Sequence, residues 1–262
     1  MKNLKTILSL IIVGTCLLIA YLSYRYYAPP SRRQPYLMNK QKTDTLHIAY
    51  IGDSWAFMHK EHECRISQIL KDKLRRPVKV HSYGICGATS KEIYEYIFDN
   101  SNFKNFLQKR AYTYCVISAG INDTYKKMSI SYYQHSMDGI IQFFLSNKIR
   151  PIILEIPDYN TMKSFDRQKY SRKGLRFLSM LVNNTPIDCK QDFRDALDEL
   201  ISSRGYQHRI SIVRYKSWNK DYLNDLNQKY LEDGMHLNNH GYAELDSVIA
   251  NVILALQITS VL

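Results

Sequence analysis

Five short apolar runs constrain this chain more than any other feature: His47 to Ile51, Val78 to Tyr83, Tyr114 to Ala119, Pro151 to Ile156 and Ile210 to Tyr215. They are β-branched or aromatic and largely apolar on both faces, as strands are when helices cover both sides of a parallel sheet. Helical stripes lie between and after them. Ile66, Ile69, Leu70 and Leu74 form one; Ile130, Tyr133, Met137, Ile140, Ile141 and Phe144 a second; Tyr242, Leu245, Val248, Ile249, Val252, Ile253 and Leu256 a third. Strand and helix in alternation call for βαβ crossovers. The expected fold is therefore α/β, a three-layer α/β/α arrangement around a central, mostly parallel five-stranded sheet. Ligands bind such sheets beyond the carboxyl ends of the strands, so the residues that follow each strand carry the functional information. Residues 158–208 exceed what one crossover needs, and their charged, helical character points to an elaboration beside the site.

The N-terminal segment differs from the rest. From Ile7 to Tyr24 there is no charge, and 18 such residues are near the minimum for crossing a bilayer core. Lys2 and Lys5 precede the run, and no small-x-small cleavage site follows it. The reading is an uncleaved anchor over residues 1–27 with the remainder outside the cytoplasm, a cleaved signal peptide being the alternative. Arg25, Arg32 and Arg33 flank the far side, so flanking charge does not decide orientation. Residues 28–45 include "APPSRRQPY", whose three prolines favour an extended spacer. The folded domain is expected over residues 46–262.

The net charge is +12, of which the first 33 residues supply five positive charges and no acid, leaving +7 for the rest. That balance suits an anionic neighbour or a solvated surface. No basic run has the spacing of a nucleic-acid motif, so nucleic acid is not an expected partner. Outside the apolar run there are four cysteines, of which Cys115 reads as a core residue, while Cys64 and Cys86 are the pair to test for a disulfide.

Four polar blocks follow the strands or precede the last helix. Gly52-Asp53-Ser54 places a serine where a helix opens, either as a cap or as a nucleophile at the sheet edge. "YGICGATS", residues 83–90, brings backbone N–H groups close to the same edge, although a turn would use its glycines too. "AGINDT", residues 119–124, offers the Asn122 amide, a donor that needs no ionisation, in a sequence that also suits a turn. In "LEDGMHLNNHGYAELD", Asp233 and His236 stand three apart, a spacing that lets a carboxylate meet one imidazole nitrogen and aim the other outward. A serine hydroxyl needs such a base, held in one tautomer by an acid, to act as a nucleophile at neutral pH.

Taken in order, these blocks resemble the SGNH hydrolase superfamily, the GDSL-type esterases and lipases, over nearly all of residues 46–256. The resemblance implies a flavodoxin-like sheet and a serine esterase with Ser54 as nucleophile, His236 as base and Asp233 as its orienter. It implies an oxyanion hole made by Gly87, Asn122 and the Ser54 N–H. Block two departs from the family pattern, with Ala88 where an aspartate is common, which leaves Gly84 as a competitor to Gly87. Leu237 follows His236 where proline is frequent.

The resemblance implies no cofactor and no metal. "HKEHE", residues 59–63, has histidines three apart but reads as an exposed helical turn, and His240 lies four residues beyond the expected base. Tyrosine outnumbers phenylalanine 21 to nine, which fits a sugar-lined cleft or surface packing equally. The expected substrate is an acylated small molecule or polysaccharide, an O-acetyl ester on a cell-envelope or extracellular carbohydrate above others. An O-acetyltransferase on the same groups, a lysophospholipase or thioesterase, and a binding module without turnover are the rival readings.

Overall fold

The computed structural model describes residues 2–38 and 43–259. Residues 39–42 of the expected spacer, Met1 and residues 260–262 lie outside the described residues. Five strands, β1 (Leu46–Gly52), β2 (Val78–Gly84), β3 (Tyr112–Ser118), β4 (Arg150–Leu154) and β5 (Ser211–Val213), form one sheet in the order β2-β1-β3-β4-β5. Every pairing is parallel. The expected α/β class and five-stranded sheet are therefore present, with every strand end within two residues of the apolar run that announced it. Ile48, Ile51, Val116, Ile117, Ile152 and Ile153 are fully buried, as their continuous apolar pattern requires.

The helices are α1 (Lys2–Tyr27), α2 (Ser54–His59), α3 (Glu63–Leu74), α4 (Ser90–Asp99), α5 (Ser101–Gln108) and α6 (Ile121–Lys126). They continue as α7 (Ile130–Ser146), α8 (Thr161–Asp166), α9 (Tyr170–Asn183), α10 (Lys190–Ser203), α11 (Tyr222–Lys229) and α12 (Asn239–Thr259). Three of these carry the apolar stripes read from the sequence: α3, α7 and α12. Residues 158–208 contain α8, α9 and α10. α10 buries Phe193, Leu197 and Leu200, whereas α9 leaves Leu175, Phe177, Leu178, Leu181 and Val182 exposed.

α1 contains an apolar stretch from Leu4 to Tyr24 with mean hydropathy 2.3 and no burial, the character of a signal sequence or anchor. Its 26 residues give a length of about 39 Å at 1.5 Å per residue, enough to cross a bilayer core. The proline segment after it is extended but does not stand clear of the body as a free spacer would. Arg33 N donates to Tyr94 Oη (2.9 Å), Met38 N donates to Asn147 Oδ1 (2.8 Å) and Asn147 Nδ2 donates to the Tyr36 carbonyl (3.0 Å). These bonds lay residues 33–38 along α4 and α7. The expectation missed them because they pair backbone groups with side chains more than 60 residues away.

The 59–63 stretch also differs from its expected exposed turn. Lys60 and Glu61 face solvent, but His59 is fully buried, with Nε2 2.8 Å from Asp246 Oδ1 and Nδ1 3.0 Å from Ser82 Oγ. Both ring nitrogens are thereby given polar partners, one the carboxylate and the other the hydroxyl. Arg65 reaches the other Asp246 oxygen at 3.2 Å, and Tyr242 Oη donates to the Trp55 carbonyl at 2.9 Å. Together these bonds fasten α12 to α2, α3 and β2. Cys115 is buried as expected, whereas Cys64 and Cys86 are both exposed and free, so the pair raised from the sequence is not bonded.

Asp246→Ala strips His59 and Arg65 of their shared acceptor in the interior. It is expected to lower unfolding free energy by about 3 kcal/mol or more, the cost of breaking a buried ionic contact from one side. Urea denaturation of the full chain measures it, and a loss under about 1 kcal/mol would show that the cluster does not hold α12.

Candidate active site

Ser54 stands where β1 ends. Gly52 has φ +147°, and a Cβ there would lie 1.9 Å from the Ser118 carbonyl oxygen, so β1 and β3 approach at a distance only glycine allows. Asp53, not Ser54, caps α2: its Oδ1 accepts from Trp55 N at 3.0 Å and from Ser118 Oγ at 2.9 Å. The cap belongs to Asp53, and the Ser54 hydroxyl is left for other use. It lies 2.8 Å from His236 Nε2.

The loop carrying His236 is closed at its base. Leu231 N donates to the His236 carbonyl at 2.8 Å, Asn238 N to the Lys229 carbonyl at 2.9 Å, and Tyr230 and Leu237 form an antiparallel bridge. Gly234 makes the turn at φ +66°. Inside it, Asp233 Oδ1 accepts from the backbone N–H groups of Met235 and His236, both at 2.9 Å, and Oδ2 meets His236 Nδ1 at 2.5 Å. Burial alone would raise the Asp233 carboxyl, but the His236 side chain and these two N–H groups outweigh it and hold the group well below the usual carboxylate range. The three-residue spacing therefore sets the carboxylate against Nδ1 and leaves Nε2 facing Ser54. Asn238 then caps α12, accepting from His240 N (2.9 Å) and Gly241 N (3.0 Å), so the loop leads directly into the fastened helix.

Block two contains two glycines with different surroundings. A Cβ on Gly84 would sit 1.9 Å from Phe57 N, so that glycine is required by the packing of α2 on β2. Gly87, at φ +76°, faces open space, where a Cβ would meet nothing within 4 Å. Among the described residues no intramolecular acceptor takes the N–H of Gly87 or of Ser54. Asn122, one residue into α6, donates one amide hydrogen to the Ala88 carbonyl at 3.0 Å and keeps the second. This bond ties the block-three loop to the block-two loop.

Sequence reasoning did not find the residues that brace these loops. Asp123 is fully buried and accepts from Ser90 N (2.8 Å) and Ser90 Oγ (2.5 Å), joining α6 to the start of α4. Thr89 and Glu92 form a capping box at that same helix start. The signal was present as Thr-x-x-Glu directly after the block-two glycines. Burial pushes Asp123 and Asp53 each up to about 6, against the pull of their hydrogen bonds.

A hydroxyl, an imidazole and a carboxylate in hydrogen-bonded sequence, with free N–H groups nearby, form an arrangement able to support acyl transfer. The family model of the GDSL-like Lipase/Acylhydrolase family matches residues 50–244, which take in Ser54, Gly87, Asn122, Asp233 and His236. The chain belongs to this family of ester hydrolases. A lipase/acylhydrolase from Enterococcus faecalis shares the fold with TM-score 0.54 at 15% identity, over 79% of this chain and 95% of that one. A lipase from a goat rumen metagenome is similar with TM-score 0.53 at 15% identity, over 78% and 95% of the two chains. An acetyl xylan esterase is similar with TM-score 0.52 at 13% identity, over 79% of this chain and 100% of that one. In sequence, the N-acylneuraminate cytidylyltransferase of Escherichia coli O18:K1:H7 is 23% identical over 182 residues, 67% of this chain. The match takes in 35% of that protein, so the chain spans about a third of the curated relative's length.

Asp53 gives a prediction with a defined sign. Its folded pKa, about 6, lies above that of an unfolded aspartate, so its contribution to stability is fully present below about pH 4 and is lost as pH rises through 6. Asp53→Asn removes that ionisation. Relative to the parent, the variant is expected to gain up to about 3 kcal/mol between pH 4 and pH 7, measured as melting temperature against pH. A constant difference across that range would contradict the assignment.

Proposed function

We propose that this chain is a serine esterase that removes O-acyl groups, acetyl above others, from a cell-envelope or extracellular carbohydrate, with Ser54, His236 and Asp233 as its catalytic residues. The reading is carried by the continuous contact from Asp233 through His236 to Ser54, at 2.5 Å and 2.8 Å. His236 Nε2 takes the Ser54 proton as Oγ bonds to the ester carbonyl carbon. The carbonyl oxygen becomes the oxyanion, facing the N–H groups of Ser54 and Gly87 and the remaining amide hydrogen of Asn122. Collapse breaks the ester C–O bond, and His236 returns its proton to the departing sugar oxygen. Water then gives a proton to His236 and hydroxide equivalent to the acyl carbon, which releases the acid and Ser54. No cofactor enters these steps.

The carbohydrate preference draws on the cleft that has Gly87 on its wall, about 1140 Å³ in volume, where the polar side chains Thr89, Glu92, Gln168 and Arg172 stand among tyrosines and the apolar Met128 and Leu175. It draws further support from the likeness to an acetyl xylan esterase. The N-terminal segment, residues 1–27, is read as an uncleaved anchor that holds residues 46–262 outside the cytoplasm at the membrane surface.

Substrate preference is tested with acetylated oligosaccharides and a series of p-nitrophenyl esters of rising chain length. Acetate release is expected from the sugars, and kcat/KM on the series should fall about 10-fold or more by octanoate, as an acyl pocket that is too short rejects added methylenes. A rising series would favour a lipid substrate, and acyl transfer to added sugar in place of acetate release would make the enzyme a transferase. Asp233→Asn is expected to cost about a hundred-fold or more in kcat with little change in melting temperature. The Asp233 carboxyl is held well below the usual carboxylate range, so Asp233→Asn should remove no ionisation from the kcat/KM profile above about pH 4. The loss of one would contradict its role.

A further inference from the structure

Arg176, on α9, is only 4% exposed, and none of its three guanidinium nitrogens has a hydrogen-bond partner. Its charge lies 4.4 Å from the centre of the Tyr125 ring and 5.2 Å from that of Phe165. Ring faces offset part of the desolvation of a guanidinium but leave its five N–H donors unsatisfied. Burial holds its pKa below the ordinary value, as expected of a cation without a counter-charge. A second orphan stands beside it: Gln168 donates through Nε2 to Tyr125 Oη, while its Oε1 is buried without a partner.

Both residues line the cleft that opens at Gly87. Acids in that cleft are already engaged: Glu92 with Lys126 at 3.3 Å, Glu95 with Lys91 at 3.9 Å, and Asp99 with Arg33. None of the three pairs with Arg172 or Arg176, so the unneutralised charge of the cleft lies on the α9 side. A ligand that completes this wall must bring an anion for the guanidinium and a hydroxyl donor for Gln168 Oε1. A polyhydroxylated anion meets both needs, and the planar guanidinium fork fits a carboxylate or a phosphate.

We propose that Arg176, with Gln168 and Arg172, forms a subsite for an acidic sugar unit, so that the glycan deacylated at Ser54 carries carboxylate or phosphate groups. This deepens the carbohydrate esterase reading and rests on it. The guanidinium and Gln168 Oε1, sealed from solvent in the free chain, turn toward the cleft to take two oxygens of the anion and to accept from a ring hydroxyl, and the acyl ester reaches the Gly87 side of the same cleft. Arg176 is thus a specificity residue that touches the substrate away from the reacting carbonyl.

Binding to ligands that contain no ester separates this proposal from turnover. The full chain in detergent is titrated calorimetrically with a uronate disaccharide, a hexose phosphate and a neutral disaccharide. One or both anions are expected to bind about ten-fold more tightly than the neutral sugar, a preference that disappears in Arg176→Met and returns in part in Arg176→Lys. Uronate alone identifies a carboxylate, and hexose phosphate alone a phosphate. Equal binding of all three by the parent overturns the proposal, as does a preference that survives in Arg176→Met. Should that variant not fold, Gln168→Leu decides: it should weaken the preferred sugar anion and leave acetate or inorganic phosphate unchanged, and undiminished sugar binding overturns the proposal. If the esterase reading alone fails, the parent releases no acyl group from any ester yet keeps its preference for the anion.

Discussion

The hydrogen bond between Ser54 and His236 joins residues 182 positions apart, and its 2.8 Å length is set by how α12 is held against the first crossover. Asp246 is the anchor of that hold. It is fully buried, pairs with an equally buried His59 at the end of the serine's own helix, and takes a second contact from Arg65. Tyr242 adds a bond to the Trp55 carbonyl, one residue from the serine. A buried carboxylate and imidazole are expensive to desolvate and costly to break, so this joint tolerates one geometry and transmits it to the loop that begins α12. The floor of the site is fixed before any catalytic side chain is considered.

Three aspartates near the site show how environment divides one residue type among different tasks. Asp53 and Asp123 are sealed in the interior, raised toward about 6, and spend their oxygens on neighbouring N–H and hydroxyl groups. They brace the loops that present Ser54 and Asn122. Asp233 lies partly open to solvent, and the His236 side chain with two backbone N–H groups keeps it ionised despite burial. Under the proposed mechanism, lasting ionisation suits the residue that steadies an imidazolium, whereas the buried braces protonate more readily than an ordinary aspartate.

Much of this arrangement could be read from the chain because it is encoded locally. Apolar runs such as Ile48 to Ile51 and Val116 to Ile117 declare buried parallel strands, and Asp233 and His236 share one short turn. Gly52 and Gly87 mark close approach and positive φ at the strand ends. What escaped is what tertiary contact creates. His59 lies in a charged stretch that resembles a solvent-facing turn, and only a carboxylate 187 residues away makes its burial sensible. The proline segment looked like a spacer because nothing within it reveals Tyr94 or Asn147 as partners. Arg176 sits among basic residues of an amphipathic helix, and no pattern separates the one cation that turns inward toward Tyr125 and Phe165 from those that stay in water.

The most direct test of the account is whether Ser54 is a nucleophile. The full chain in detergent, treated with a fluorophosphonate and digested for mass spectrometry, should carry one adduct, on the peptide containing Ser54. Heat denaturation before treatment should abolish it, since reactivity depends on the folded contact with His236. A folded chain that takes no label, or takes it on another serine, would contradict the central claim while leaving the fold intact.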